Sequence, residues 1–100
     1  MPHPTVTLIN CFEVDPSRIE PAIAAWERVH GILRAQPGYV DTALHRALAP
    51  SARFQLVNVA RWESAEHFHT AIGRLSGGRP PEVAGLAALP ALYTVVRTDR

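Results

Sequence analysis

The sequence contains no lysine, a single cysteine and few charged residues. All ten basic residues are arginine, which excludes Schiff-base catalysis and lysine-bound pyridoxal phosphate. It also excludes the P-loop, whose lysine reaches the phosphates. Because Cys11 stands alone, neither an internal disulfide nor a CxxC zinc or redox pair can form. Charged residues make up 19% of the chain and the net charge is +1. The arginines are scattered, so we expect no nucleic-acid partner.

Long apolar runs and common catalytic motifs are also missing. No segment approaches the roughly 18 apolar residues of a membrane span, and residues 1–4 lack the basic and apolar regions of a signal peptide. Neither a GxSxG nor a GxGxxG motif occurs. We therefore expect a cytoplasmic protein without a membrane partner. The 100 residues, 47% of them hydrophobic, predict one domain over residues 1–100, with a tail at 1–4 and a loop at 76–81.

The hydrophobic pattern predicts four strands and two main helices. Runs of β-branched and aromatic residues predict strands at residues 5–13, 39–48, 53–62 and 92–98. A helix with one apolar stripe is predicted from Ser17 to Leu33, and a second one follows its N-cap, Ser64. Residues 82–89 give a weak signal for a short helix. The order β-α-β-β-α-β is typical of the ferredoxin-like α+β fold, with a four-stranded antiparallel sheet.

Two helices cover only one face of such a sheet, yet the strands are apolar on both faces. Ile9 and Cys11 lie opposite Leu8 and Phe12 on strand one. An antiparallel sheet with one wet face alternates more strictly than this. We therefore expect a homodimer whose two sheets pack face to face. The alternative is a monomer with irregular alternation.

Two polar residues fall on the face that the helices cover. Asn10 is on strand one, and Asn58 lies four residues before Trp62 on strand three, so Asn58 and Trp62 point the same way. An amide and an indole N–H beside aromatic rings offer donors to a planar ligand that carries oxygen. In the alternative interpretation both are structural, with Asn58 bonded to nearby backbone. Other candidates for lining the same space are Phe12, Trp26, Phe54, Phe68 and His69.

The remaining histidines predict no metal site. His67 and His69 are two residues apart on a helix and do not face each other. His30 lies on the apolar stripe of the first helix and is interpreted as a core residue.

The chain resembles the antibiotic biosynthesis monooxygenase family, whose members are dimeric α+β barrels of the ferredoxin-like fold. The likeness covers about residues 5 to 72, and its most specific part is the N-x-x-x-W-E-S segment that starts at Asn58. The matching stretches are VTLINCFEV from Val6, QPGY from Gln36, LHR from Leu44 and FQLVNVARWESAE from Phe54.

Quinone-forming members of that family use neither metal nor flavin. The resemblance therefore implies a cofactor-independent monooxygenase that oxidises a hydroxyaromatic substrate, such as a phenol or a polyketide-like anthrone, to a quinone with O₂. By the same resemblance, Asn58 would hold the substrate oxygen and Trp62 would orient the ring. These members carry a tyrosine six residues after the tryptophan, where this chain has Phe68. His69 or water would then handle the proton, and Arg79 is a candidate for the family's arginine.

Two alternatives remain open. The haem-degrading branch uses an asparagine on strand one, a tryptophan on strand three and a histidine on helix two. Asn10 and Trp62 match, but the histidine position holds Ile72, with His69 one turn away. The third reading is a dimer without catalytic activity that binds a hydrophobic metabolite or assists a cyclase.

Overall fold

Strands and helices follow one another in the predicted order β-α-β-β-α-β. The computed structural model describes residues 5–75 and 86–99, so the predicted tail at 1–4 and loop at 76–81 lie outside it. The elements are β1 (Val6–Val14), a 3-10 turn (Pro16–Arg18), α1 (Ile19–Leu33), β2 (Tyr39–Arg46), β3 (Leu56–Trp62), α2 (Ala65–Gly73) and β4 (Leu86–Tyr93).

The four strands form one antiparallel sheet in the order β2-β3-β1-β4. β1 therefore lies in the middle, between β3 and β4, and its Asn10 is the register partner of Asn58 on β3. This topology confirms the ferredoxin-like α+β fold. No helix within the described residues is both long and apolar enough to cross a membrane.

At the start of α2 and of the 3-10 turn, a side chain accepts a hydrogen bond from a backbone N–H that has no partner within the helix. Ser64 caps α2 as predicted, because its hydroxyl accepts a hydrogen bond from the His67 backbone N–H at 3.1 Å. Asp15 caps the 3-10 turn and accepts from the Ser17 backbone N–H at 2.8 Å. The chain thus enters α1 through a turn, and the helix starts at Ile19, slightly later than expected.

Among the described residues, two clusters of buried side chains lie toward opposite ends of the sheet. One contains Leu8, Ala60, Trp62 and Ala71. The other contains Val14, Ile19, Ala22 and Leu56. Along β1, Asn10 falls between Leu8 and Val14, so the paired asparagines lie between the two clusters. The apolar core is therefore interrupted in the middle of the sheet.

The last strand corrects the prediction for the C-terminal region. Leu86–Tyr93 is a strand, whereas the sequence predicted a short helix over 82–89 and a strand over 92–98; residues 82–85 lie outside the description. Residues 94–99 are not in a strand. The alanine-rich segment pairs with β1 over eight positions, from Thr7↔Tyr93 to Val14↔Leu86, and this pairing overrides local helix propensity. Pro90 is tolerated because β4 is an edge strand.

The face of the sheet turned away from the helices is apolar in its centre. Ile9 pairs with Val59 and Cys11 with Val57 across β1 and β3, and Leu89, beside Cys11 on β4, is 50% exposed. Ion pairs flank this centre, Asp41 with Arg61 and Glu13 with Arg53. We call the four central residues on β1 and β3 the outer apolar patch: Ile9, Cys11, Val57 and Val59.

Candidate functional site

A cavity of about 410 Å³ lies between the two helices and the sheet. Its volume is in the range of roughly 300–1,000 Å³ that small-molecule sites occupy. Its walls are mainly apolar and aromatic, with a few polar side chains among them. The polar and aromatic lining residues are Asn10, Phe12, Trp26, His30, Tyr39, Thr42, Asn58, Trp62, Phe68 and His69.

The paired asparagines of β1 and β3 occupy the sheet wall of this cavity. Asn58 is buried, with 8% of its surface exposed. Its Oδ1 accepts a hydrogen bond from the Thr42 hydroxyl at 2.6 Å. That oxygen is therefore engaged, and the amide Nδ2 is left to donate. Thr42 thus fixes which end of the Asn58 amide serves as the polar group of the cavity.

Asn10 differs from Asn58 in that, within the described part of the chain, its side-chain oxygen is not engaged in a hydrogen bond. Its Oδ1 is buried and has no hydrogen-bond partner among the described residues. A buried carbonyl oxygen without a donor costs about 1–3 kcal/mol, and such groups are uncommon in folded proteins. The two neighbouring asparagines of the cavity wall therefore differ: Asn58 keeps an amide N–H₂ to donate, and Asn10 holds a buried oxygen without a donor in residues 5–75 and 86–99.

Aromatic rings make up much of the remaining wall. Trp62 is 1% exposed and stands edge-on to Tyr39 and Phe68, with ring centroids 5.5 and 5.7 Å away. Trp26 stacks on His30 at 4.8 Å with an interplanar angle of 6°. Edge-to-face and stacked contacts at these distances hold rings in defined orientations. The cavity therefore has rigid flat walls, which suit a planar ligand.

One hydrogen-bonded pair of titratable side chains also lines the cavity. His30 Nε2 lies 3.2 Å from the Tyr39 hydroxyl. Burial raises the pKa of Tyr39 above its ordinary value of 10.0; Arg34 opposes this rise and Asp41 adds to it. The phenol is therefore protonated near neutral pH.

Seven of the eight site residues predicted from the sequence line this single cavity. Asn58 and Trp62 lie four residues apart on the sheet wall; Asn10, Phe12, Trp26, Phe68 and His69 complete the set. His69 is exposed and its ring lies 5.5 Å from that of Phe68, which places it at the edge. Their roles toward a ligand stay predictions.

Phe54 is the exception, because it does not line the cavity. The strand was predicted to start at residue 53, but β3 begins at Leu56, so the alternation that would turn Phe54 inward does not extend to it. Its ring lies under the Arg53 guanidinium, 5.1 Å away. Gln55, the residue between Phe54 and the start of β3, is buried. Its side-chain amide donates hydrogen bonds to the backbone carbonyls of Ala49, Pro50 and Ala52.

Sequence analysis missed Thr42, Tyr39 and the contact made by His30. A register shift between Tyr39 and Asp41 moves Tyr39 opposite Trp62 and leaves Val40 41% exposed. The alternating pattern of the strand carries no signal for such a bulge. The QPGY stretch, which ends at Tyr39, is the one hint that the sequence offers.

Two further positions bear on the alternatives. Ile72 lines the cavity, and an aliphatic side chain cannot ligate iron. Arg79 lies outside the described residues. Within those residues, no group of three or more histidine, cysteine, aspartate or glutamate side chains could hold a metal ion.

Comparison with known proteins now identifies the family. The family model described as "Antibiotic biosynthesis monooxygenase" matches residues 5–71. This chain belongs to the antibiotic biosynthesis monooxygenase family. The match spans β1 to α2, the elements that carry both asparagines, Trp62 and Phe68. A search of curated proteins found no significant match.

Solved structures support the same assignment. A candidate monooxygenase from Shewanella loihica PV-4 is 40% identical, with a TM-score of 0.87 over 95% of this chain and 97% of that one. SnoaB, a cofactor-independent oxygenase from Streptomyces nogalater, is 22% identical, with a TM-score of 0.71 over 95% and 96% of the two chains.

The haem-degrading branch is represented among the similar structures as well. MhuD from Mycobacterium tuberculosis, a haem degrader solved with two haems in its active site, is 25% identical, with a TM-score of 0.66 over 95% and 99% of the two chains. Family and neighbours together support a monooxygenase-type function for this chain.

Proposed function

We propose that the protein is a cofactor-independent monooxygenase that oxidises a hydroxyaromatic substrate, a phenol or polyketide-like anthrone, to a quinone with O₂. The observation that carries this proposal is the Asn58 amide, whose oxygen is engaged by Thr42 at 2.6 Å so that its N–H₂ is free for a substrate oxygen. For an anthrone, a ring CH₂ and O₂ give a ring C=O and H₂O, which balances without a further reductant.

The chemistry needs an electron-rich anion in a dry site. The substrate loses a proton, the anion passes one electron to O₂, and the two radicals recombine. Asn58 would hold the oxyanion and Trp62 would donate its indole N–H and orient the ring. Fixed donors in a site that excludes water stabilise developing charge far better than water does. The flat aromatic walls support a fused-ring substrate.

The unpartnered oxygen of Asn10 supports a substrate with a second polar group. Asn10 and Asn58 are register partners on adjacent strands, and both line the cavity. A hydroxyl beside the oxyanion would donate to the Asn10 Oδ1 and remove its desolvation cost.

The test is an O₂-uptake assay combined with quinone absorbance, using anthrone and a panel of hydroxyaromatics in air. Asn58→Ala should slow turnover on the order of 10²-fold if this residue holds an oxyanion. Glu27→Ala is the control, because Glu27 is exposed on α1 and does not line the cavity. Equal background rates for the wild type and Asn58→Ala would contradict the proposal and favour a binding protein without catalytic activity.

Haem degradation is the second candidate, favoured by one observation: His69 lines the same cavity as Asn10 and Trp62. The fit is poor, because Ile72 stands where that branch has its histidine and His69 is exposed at the cavity edge. If this ranking is right, the Soret band of added haem should stay where it lies for free haem. A shift of that band that His69→Ala abolishes would reverse the ranking.

We also propose that the outer apolar patch is covered by a second copy of the chain. An apolar centre between flanking ion pairs has the anatomy of a protein interface. Val59→Glu in the centre of the patch should produce a monomer in sedimentation at micromolar concentration. Leu48→Glu, at a residue fully exposed in a loop, is the matched control and should sediment as the wild type does. A wild-type monomer would contradict this proposal.

A further inference from the structure

The proposed reaction needs a proton acceptor beside the substrate oxygen. A phenol ionises near pH 10, so a bound phenol at neutral pH must give its proton to a group in the cavity. Among the described residues that line the cavity, the titratable side chains are His30, Tyr39 and His69. His69 is exposed, whereas His30 and Tyr39 are partly buried and hydrogen-bonded to each other.

Aromatic contacts hold each member of the His30–Tyr39 pair in place. His30 lies flat on Trp26, with centroids 4.8 Å apart. Tyr39 stands edge-on to Trp62 at 5.5 Å, because the bulge in β2 makes Tyr39 the register partner of Trp62. The phenol of Tyr39 is therefore held beside the tryptophan assigned to substrate orientation, and His30 Nε2 is 3.2 Å from its oxygen.

We propose that Tyr39 and His30 remove the proton of a substrate hydroxyl at the Trp62 end of the cavity, with Tyr39 in contact with that hydroxyl and His30 as the final acceptor. This inference rests on the proposed function. The substrate O–H bond breaks and its proton passes to the Tyr39 oxygen, while the Tyr39 proton passes to His30 Nε2. The products are a substrate oxyanion, a neutral tyrosine and an imidazolium. The electron pair stays on the substrate, ready for transfer to O₂.

Two charged residues act on the phenol from neighbouring positions. Burial has the largest effect on the pKa of Tyr39 and raises it; Arg34, which follows the end of α1, lowers it, and Asp41 on β2 raises it. The effects of Arg34 and Asp41 oppose each other, and both residues are exposed. The hydroxyl thus keeps its proton in the resting protein and is able to pass it on to His30.

The test measures ionisation of a bound ligand without turnover. A hydroxyanthraquinone absorbs at longer wavelength as the phenolate than as the phenol, so its spectrum in the cavity reports its charge. A hydrogen bond to the charged form favours that form. Tyr39→Phe and His30→Gln should each raise the apparent pKa of the bound ligand, lowering its ionisation constant about tenfold or more. Tyr93→Phe, the same change on an exposed edge-strand residue, should behave as the wild type.

The outcomes separate this inference from the proposed function. Equal ionisation in the wild type, Tyr39→Phe and His30→Gln would overturn the proton path, and so would a shift confined to His69→Ala. Failure of the wild type to bind the ligand overturns the proton path as well. If Tyr39→Phe and His30→Gln both shift the pKa of the bound ligand while the wild type takes up no O₂, the result supports the proton path and contradicts the proposed oxygenase activity. Tyr39→Phe loses only a hydroxyl, so its ring can still pack on Trp62.

Discussion

Replacing Gly38 by alanine should be one of the most damaging small changes in this chain. Gly38 has φ +90°, a region that side chains of L-residues rarely adopt. The new Cβ would fall onto the Cβ and Cγ of His67 and lie 2.6 Å from its Cδ2. Gly38 also accepts a hydrogen bond from the Glu63 backbone N–H at 2.8 Å, so its carbonyl cannot shift freely.

The size of the effect follows from two separate costs. A residue other than glycine at positive φ costs about 1–3 kcal/mol. Displacing His67 disrupts the contact between its Nδ1 and the Ser64 hydroxyl, now 2.7 Å long, which adds about 1 kcal/mol. The sum is about 2–4 kcal/mol, which lowers the melting temperature of a domain of this size by roughly 10–30 °C.

Thermal unfolding followed by circular dichroism at constant protein concentration measures this difference. Gly31→Ala is the matched control, because a Cβ at Gly31 meets nothing within 4 Å. Gly31 lies inside α1, where alanine is favoured by up to about 1 kcal/mol, so this variant should melt at or above the wild-type temperature. Adding His67→Ala to Gly38→Ala removes the contacts with Cγ and Cδ2 but keeps the contact with Cβ, so most of the loss should remain. A Gly38→Ala variant that melts within about 2 °C of the wild type would refute the reasoning.

Three further predictions concern polar contacts. Thr42→Val removes the hydroxyl that holds Asn58, so kcat/KM for quinone formation should fall about tenfold, while Thr42→Ser keeps it near wild type. Gln55→Leu leaves three loop carbonyls without their donor and should cost about 2–3 kcal/mol in urea unfolding; an unchanged midpoint would contradict this. The hydrogen bond from Arg61 holds the pKa of Asp41 below its ordinary 3.8, so this pair stabilises the fold above that pH and the contribution is lost as the pH falls. Asp41→Asn should flatten the decline in stability below about pH 4.

The part of the site on β3 was predictable because that strand follows strict alternation. Asn58 and Trp62 were placed on one face from the sequence, and both are buried. A period of two leaves no freedom once the strand is paired on both sides. Their common orientation was therefore accessible without any structure.

The other half of the site depends on an irregularity. The bulge in β2 turns Tyr39 toward the cavity and Val40 outward, and it arises from how two strands fit together rather than from the residues of either one. The Tyr39 contact with His30, and the assignment of Thr42 to Asn58, both follow from that fit. A pattern read along one strand contains no information on them.

The end of the sheet shows a second limit. Residues 86–93 are mostly alanine and leucine, which favour helices on their own, yet they pair with β1 over its length. The hydrogen bonds to the partner strand therefore determine that this segment is a strand and not a helix. The start of β3 at Leu56 instead of residue 53 is the same kind of error at a boundary, and it removed Phe54 from the site.

The hollow between the helices and the sheet couples folding to binding. Among residues 5–75 and 86–99, no side chain fills this space, so whatever occupies it contributes to holding the layers together. A compound present at 100 times its dissociation constant stabilises the folded state by about 2.7 kcal/mol. Melting temperature can therefore rank compounds from a mixed library by affinity, before any reaction has been assigned to them.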